Sequence, residues 1–170
     1  MEQPPDNGVD LTLWGGLVGG LGGTALGGGG ALGFFIGGPA AEIEVGGDYS
    51  PGINGADVRV TSPFVDSNAF SVGTSALFFA HGSFTYNFHL ETSRAVPYAS
   101  GGLVYMRTSE ETTFFDNSWS ASITGSAMAP QFGGGIKLPI GGGDTYFRGD
   151  IRFYLFDGAK ATRVNAGVTF

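Results

Sequence analysis

Apolar and polar residues alternate one by one along much of this chain, the period of a β-strand rather than of a helix. Residues 162–170 show it plainly: Val164, Ala166, Val168 and Phe170 fall on one face, and Arg163, Asn165, Gly167 and Thr169 on the other. A terminus that ends on an apolar, aromatic strand is expected to be tied into a sheet. Seven earlier stretches repeat the pattern. The clearest set Ile43, Val45 and Tyr49 against Glu42, Glu44 and Asp48, and Phe84, Tyr86 and Phe88 against His81, Ser83, Thr85, Asn87 and His89. Phe132, Ile136 and Leu138 likewise oppose Gln131 and Lys137, and Phe147, Ile151, Phe153 and Leu155 oppose Tyr146, Arg148, Asp150, Arg152 and Tyr154.

The first strand is expected over residues 9–20, with Leu11, Leu13 and Leu17 against Asp10 and Thr12, and the second over 31–37, ending at Gly38-Pro39. Glycines blur the pattern between them, so residues 21–30 are expected as a loop. The fourth strand, 75–90, is expected to be the longest, and the fifth, 97–107, has ambiguous faces. Residues 50–72 and the polar, acidic 109–122 are expected as long loops, and Gly141-Gly142-Gly143-Asp144 as a tight turn. Connections thus alternate long and short, as successive antiparallel hairpins require.

Composition changes the picture of what surrounds these strands. Only 14% of the residues are charged although 14% are aromatic, whereas soluble domains carry about 25% charged residues. No apolar run reaches the length of a spanning helix. The net charge of −7 argues against a nucleic-acid partner. Cysteine is absent, which removes thiol chemistry and disulfides. The polar face of the clearest strands is Gly, Ser, Thr, Asn, Gln and His with charges of both signs. That suits a narrow lumen better than a solvated exterior, and large groups such as Phe84, Phe88 and Phe153 would overfill a small barrel's inside. The apolar face therefore points outward to lipid, and strands can span lipid only as a closed barrel. The expected fold is all-β, one eight-stranded antiparallel up-and-down transmembrane β-barrel over residues 9–170.

The runs Pro97-Tyr98-Ala99-Ser100-Gly101-Gly102-Leu103-Val104-Tyr105, Phe132-Gly133-Gly134-Gly135-Ile136-Lys137-Leu138 and Phe147-Arg148-Gly149-Asp150-Ile151-Arg152-Phe153-Tyr154, followed by a terminal phenylalanine, resemble the small eight-stranded outer-membrane β-barrels of Gram-negative bacteria, the OmpA/OmpX-like group. The resemblance implies the bacterial outer membrane, a short periplasmic tail over residues 1–8, lipid and lipopolysaccharide as surroundings, and insertion by the barrel-assembly machinery. It also implies an assembly signal carried here by Val164, Val168 and Phe170.

Candidate chemistry sits on the polar faces. Glu42, Glu44, Lys137, Arg148, Asp150, Arg152 and Arg163 are expected to form an ion-paired lumen, because an unpaired buried charge costs several kcal/mol. The inward glycines leave room for a narrow water path as the alternative. His81 and Ser83 share a face and are weighed as base and nucleophile, but lumen-lining polarity is the simpler reading, and no catalytic residue, cofactor or metal is assigned. His81 and His89 lie about 26 Å apart along an extended strand, too far to share a metal. Phe114, Phe115 and Trp119 are candidates for an interfacial girdle or for loop contacts. The expected role is structural or surface interaction by a monomeric barrel, with a narrow pore or ligand-binding barrel as the alternative and a lipid-modifying enzyme behind it.

Overall fold

The computed structural model describes residues 8–20, 23–51, 72–89, 94–113, 120–141, 144–157 and 159–170. Eight strands follow in chain order: β1 Val9–Gly20, β2 Gly23–Phe35, β3 Ala41–Ser50, β4 Val72–Asn87, β5 Val96–Thr113, β6 Ser120–Pro139, β7 Tyr146–Phe156 and β8 Ala159–Thr169. Each pairs antiparallel with the next, and β1 pairs with β8 to close the barrel. Closure reaches the chain's last residue, since Phe170 N–H donates to the Leu11 carbonyl at 2.9 Å and Leu11 N–H to the Phe170 carbonyl at 3.1 Å. No sheet edge is left there to be satisfied by lipid.

Three boundaries differ from expectation for physical reasons. Of the expected loop 21–30, residues 21–22 lie outside the described residues and 23–30 are strand, because β2 begins at Gly23 and its glycines pair with β1 and β3. A backbone ladder needs no side chains, so glycine hides the alternation without preventing the strand. Nor is 109–122 a loop throughout: β5 runs to Thr113 and β6 starts at Ser120, and β6, with 20 residues, is longer than β4, with 16. The tips at 52–71 and 114–119 lie outside the described residues, and with them Phe114, Phe115 and Trp119.

Outside, the barrel is apolar. Leu13, Leu17, Val45, Phe84, Leu103, Met128, Phe132 and Val164 are all half exposed or more. Tyr49, Phe78 and Tyr105 lie toward one end of this band, and Phe34, Tyr86, Phe88, Phe147 and Phe170 toward the end that carries the termini. From Phe78 to Phe88, ten steps of about 3.3 Å tilted by about 40° span roughly 25 Å, the height of an outer-membrane barrel's apolar band. Among the described residues the outward charges on the strands are Arg107 and Lys160, both near the far end.

Inside, large polar side chains face glycines on neighbouring strands. Arg152 pairs in register with Gly133, His81 with Gly46, Asp150 with Gly135, Glu44 with Gly33 and Arg148 with Gly167. Trp14 lies between Gly29 and Gly167. An eight-stranded lumen is just wide enough to be filled by side chains, and alternating small and large residues is how they fit. A Cβ at Gly135 would meet the Gly149 carbonyl oxygen first and then the Tyr98 hydroxyl at 2.6 Å, whereas one at outward Gly149 would meet nothing within 4 Å. At inward glycines such as Gly133, Gly135 and Gly167 the space of a Cβ is thus already taken by neighbouring backbone and side-chain atoms.

Candidate functional site

The lumen holds the chain's concentrated chemistry, in two layers. The layer nearer the termini is ionic. Glu44, on β3 and fully buried, accepts from Arg148 Nη1 at 2.5 Å and from Arg152 Nη2, and lies 3.3 Å from His81 Nε2. Asp150 lies 3.5 Å from Arg148 Nη2 and 3.4 Å from Arg152 Nε, and accepts from Tyr98 at 3.1 Å and Asn165 at 2.8 Å. Arg163 pairs with Asp48, its guanidinium 5.3 Å from the Trp14 ring centre and 5.8 Å from that of Tyr154. Three arginines thus stand against three carboxylates, and the flat guanidinium suits both bidentate pairing and ring stacking. Below them Lys137 donates to Glu42 at 2.9 Å and lies 3.6 Å from Asp10.

The second layer, toward the far end, is apolar, so the lumen is polar over only part of its height. Val18, Ala25, Leu77, Phe79, Val104, Met106, Ala129, Tyr154, Phe156 and Ala161 form one buried cluster. Phe79 stacks on Tyr154 with ring centres 5.5 Å apart, and both are 0% exposed. This cluster explains the ambiguous faces of the fifth strand: Val104 and Met106 point inward while Leu103 and Tyr105 point to lipid, so both faces are apolar.

The structure places Glu42, Glu44, Lys137, Arg148, Asp150, Arg152 and Arg163 inside the barrel in three ion-paired groups: Lys137 with Glu42, Arg148 and Arg152 with Glu44 and Asp150, and Arg163 with Asp48. Asp10, Asp48 and Tyr98 are partners in these groups, Trp14 lies beside Arg163, and none of the four was singled out from sequence. Asp48 shares the face of Glu42 and Glu44, a signal that was available. Trp14 follows Thr12 by two on the inward face of β1, and period two could have found it. His81 Nε2 faces Glu44 rather than Ser83, and the Ser83 hydroxyl has no hydrogen-bond partner among the described residues, so His81 and Ser83 form no base-to-nucleophile contact. His89 is exposed at the terminal end, away from His81. Val164 and Phe170 point outward, each more than half exposed, with Val168 between them on the same face.

No family model matches the sequence, and no curated protein does. Solved structures do match. Neisserial surface protein A aligns over 95% of this chain and 94% of its own, with a TM-score of 0.64 at 12% identity. A major outer membrane protein of Thermus thermophilus aligns over 96% of this chain and 99% of its own, with a TM-score of 0.69 at 10% identity. The chain has the fold of the small outer-membrane β-barrels. Ail, the attachment invasion locus protein of Yersinia pestis, shares that fold over the full length of both chains, with a TM-score of 0.56 at 10% identity. In an outer-membrane barrel, the inverted pattern seen here has a direct physical reading: the exposed apolar band is solvated by acyl chains, and the charges are removed from lipid into the lumen.

Proposed function

We propose that this chain is an integral outer-membrane protein that works at its outer surface, while its lumen stays closed and serves stability. The observation that carries this is the double filling of the lumen, an ionic layer with Arg152 at 1% and Glu44 at 0% exposure backed by the stacked Phe79 and Tyr154. A conducting path would have to part both layers.

A second feature supports a role at the surface. Strands β4, β5 and β6 continue beyond the outer aromatic residues as a three-stranded ridge, with Val72 paired to Thr113 and Thr113 to Ser120. Pairing between β6 and β7 begins only at Gln131, so among the described residues the ridge backbone of β6 is paired on its β5 side alone. An open strand edge presents unpaired N–H and C=O groups to an extended partner. Arg107 and Lys160 are exposed at the same end, which supports contact with anionic headgroups of lipopolysaccharide. The same reading assigns Val164, Val168 and Phe170 to recognition by the barrel-assembly machinery. That the fold's neighbours include a protein named for the surface and one named for attachment and invasion agrees with it.

The test is single-channel recording of the purified, refolded chain in planar bilayers. A sealed lumen gives no discrete, reproducible steps at moderate voltage; stable unitary steps would replace this reading with that of a narrow pore.

A further inference from the structure

We infer that the mouth of the barrel beside the chain termini is a binding site for a small ammonium compound carrying an apolar or aromatic body. A vestibule of about 180 Å³ opens there, walled by Phe35, Tyr146 and Phe170 and lined by Asp10, Asn87 and Lys137, with Asp144 also on its lining. At roughly 30 Å³ per water it has the room of about six waters, the bulk of an aromatic ring with a short arm.

The charge of the vestibule selects the ligand. Asp10, Asp144 and the adjoining Glu42 face a single lysine, and that lysine is already committed, since Lys137 Nζ lies 2.9 Å from Glu42. It reaches Asp10 only at 3.6 Å, beyond a good hydrogen bond, and the Asp10 side chain remains 21% exposed. Asn87, 3% exposed, is the buried amide on the lining. Its Nδ2 donates to the Pro39 carbonyl at 3.2 Å and lies 3.5 Å from Glu42 Oε2, which leaves the buried Oδ1 as the amide atom without a hydrogen-bond partner among the described residues. The groups left unspent are acceptors, so the complementary head is one that donates several N–H bonds and carries positive charge. The aromatic wall favours the same head: Lys137's own ammonium already lies 5.7 Å from the Phe35 ring centre. An anion would meet the carboxylates of Asp10, Asp144 and Glu42, with the already paired Lys137 and the exposed His89 as the basic side chains among the described lining residues.

The test uses the full chain in maltoside micelles and follows the amide resonances of Val9, Thr145 and Tyr146 during titration with 2-phenylethylammonium, with 2-phenylethanol as the neutral counterpart and 3-phenylpropionate as the anionic one. The ammonium ion should give saturable shifts, the alcohol should bind at least about tenfold more weakly, and the carboxylate should give none. Asp10→Asn should weaken the ammonium about tenfold and Asp144→Asn about threefold. Asp144 is exposed, so its variant decides the matter even if Asp10→Asn fails to fold, which heat-modifiable gel mobility reveals. Equal binding of the three probes, or an affinity untouched by Asp144→Asn, would overturn the assignment. Neither outcome bears on whether the lumen is sealed.

Discussion

Glu44 is the position at which the lumen is most easily upset. Its carboxylate is fully buried and meets Arg148 at 2.5 Å, Arg152, and His81 at 3.3 Å. Glu44→Gln keeps the shape but removes the charge, leaving Arg148, Arg152 and Arg163 against Asp48 and Asp150. Breaking a buried pair by removing one partner costs about 3–5 kcal/mol, because the uncompensated charge stays behind. The folded-to-unfolded ratio should therefore fall by a factor of about 10² to 10³·⁵ at about 1.4 kcal/mol per decade. The comparison is Glu42→Gln, after which Lys137 still has Asp10 at 3.6 Å, so a smaller loss, about 1–3 kcal/mol, is expected. The assay is urea titration of the barrel in lipid vesicles, read by gel mobility of unboiled samples. Arg152→Met in the Glu44→Gln background should recover part of the loss, since an excess buried cation is then removed. The reasoning fails if Glu44→Gln is no more destabilising than Glu42→Gln, or if the second substitution makes matters worse.

Other consequences follow from the same packing and pairing. Gly135→Ala drives a Cβ into the Gly149 carbonyl oxygen and the Tyr98 hydroxyl and should cost about 1–3 kcal/mol by overpacking, whereas outward Gly149→Ala meets open space and should be neutral or stabilising by about 0.5–1 kcal/mol; equal effects in the same urea titration would show that the inward glycines are not there for packing. Hydrogen exchange by NMR should find amides of Ser120–Ala129 that point away from β5 exchanging orders of magnitude faster than those of Gln131–Lys137, which are paired on both sides; uniform protection would mean the ridge has no open edge. Deleting Phe170 should impair insertion in cells more than refolding in detergent, and equal loss in both would reduce its role to packing.

How much of this was legible beforehand depended on the side chains available to carry the alternation. In β3 and β7, where Glu and Arg alternate with Ile, Val and Phe, both the strand and its inward face follow from period two. Along 23–30 the glycines left no signal, although that stretch supplies eight of the twelve β1 pairings and three of the eight β3 pairings of β2. In β5 the apolar plug put Val104 and Met106 inward, so the two faces looked alike. The Ser/Thr-rich ends of β5 and β6 resemble loops because they rise beyond the apolar band, where neither lipid nor core demands alternation. The partners of each lumenal charge were not legible, since Arg148 and Glu44 are separated by 104 residues and meet only through barrel closure.

The central claim is that the apolar face of every strand touches lipid while the charged face is sealed inside. The chain's lack of cysteine makes a direct measurement simple: nitroxide labels on single cysteines placed at outward Val45, Leu103 and Ile151 and inward Ser83 and Gln131, in lipid vesicles. Outward labels should be relaxed strongly by oxygen and weakly by a water-soluble nickel chelate, and inward labels weakly by both. Strong relaxation of the outward labels by the nickel chelate would place water where the account requires lipid and would contradict it.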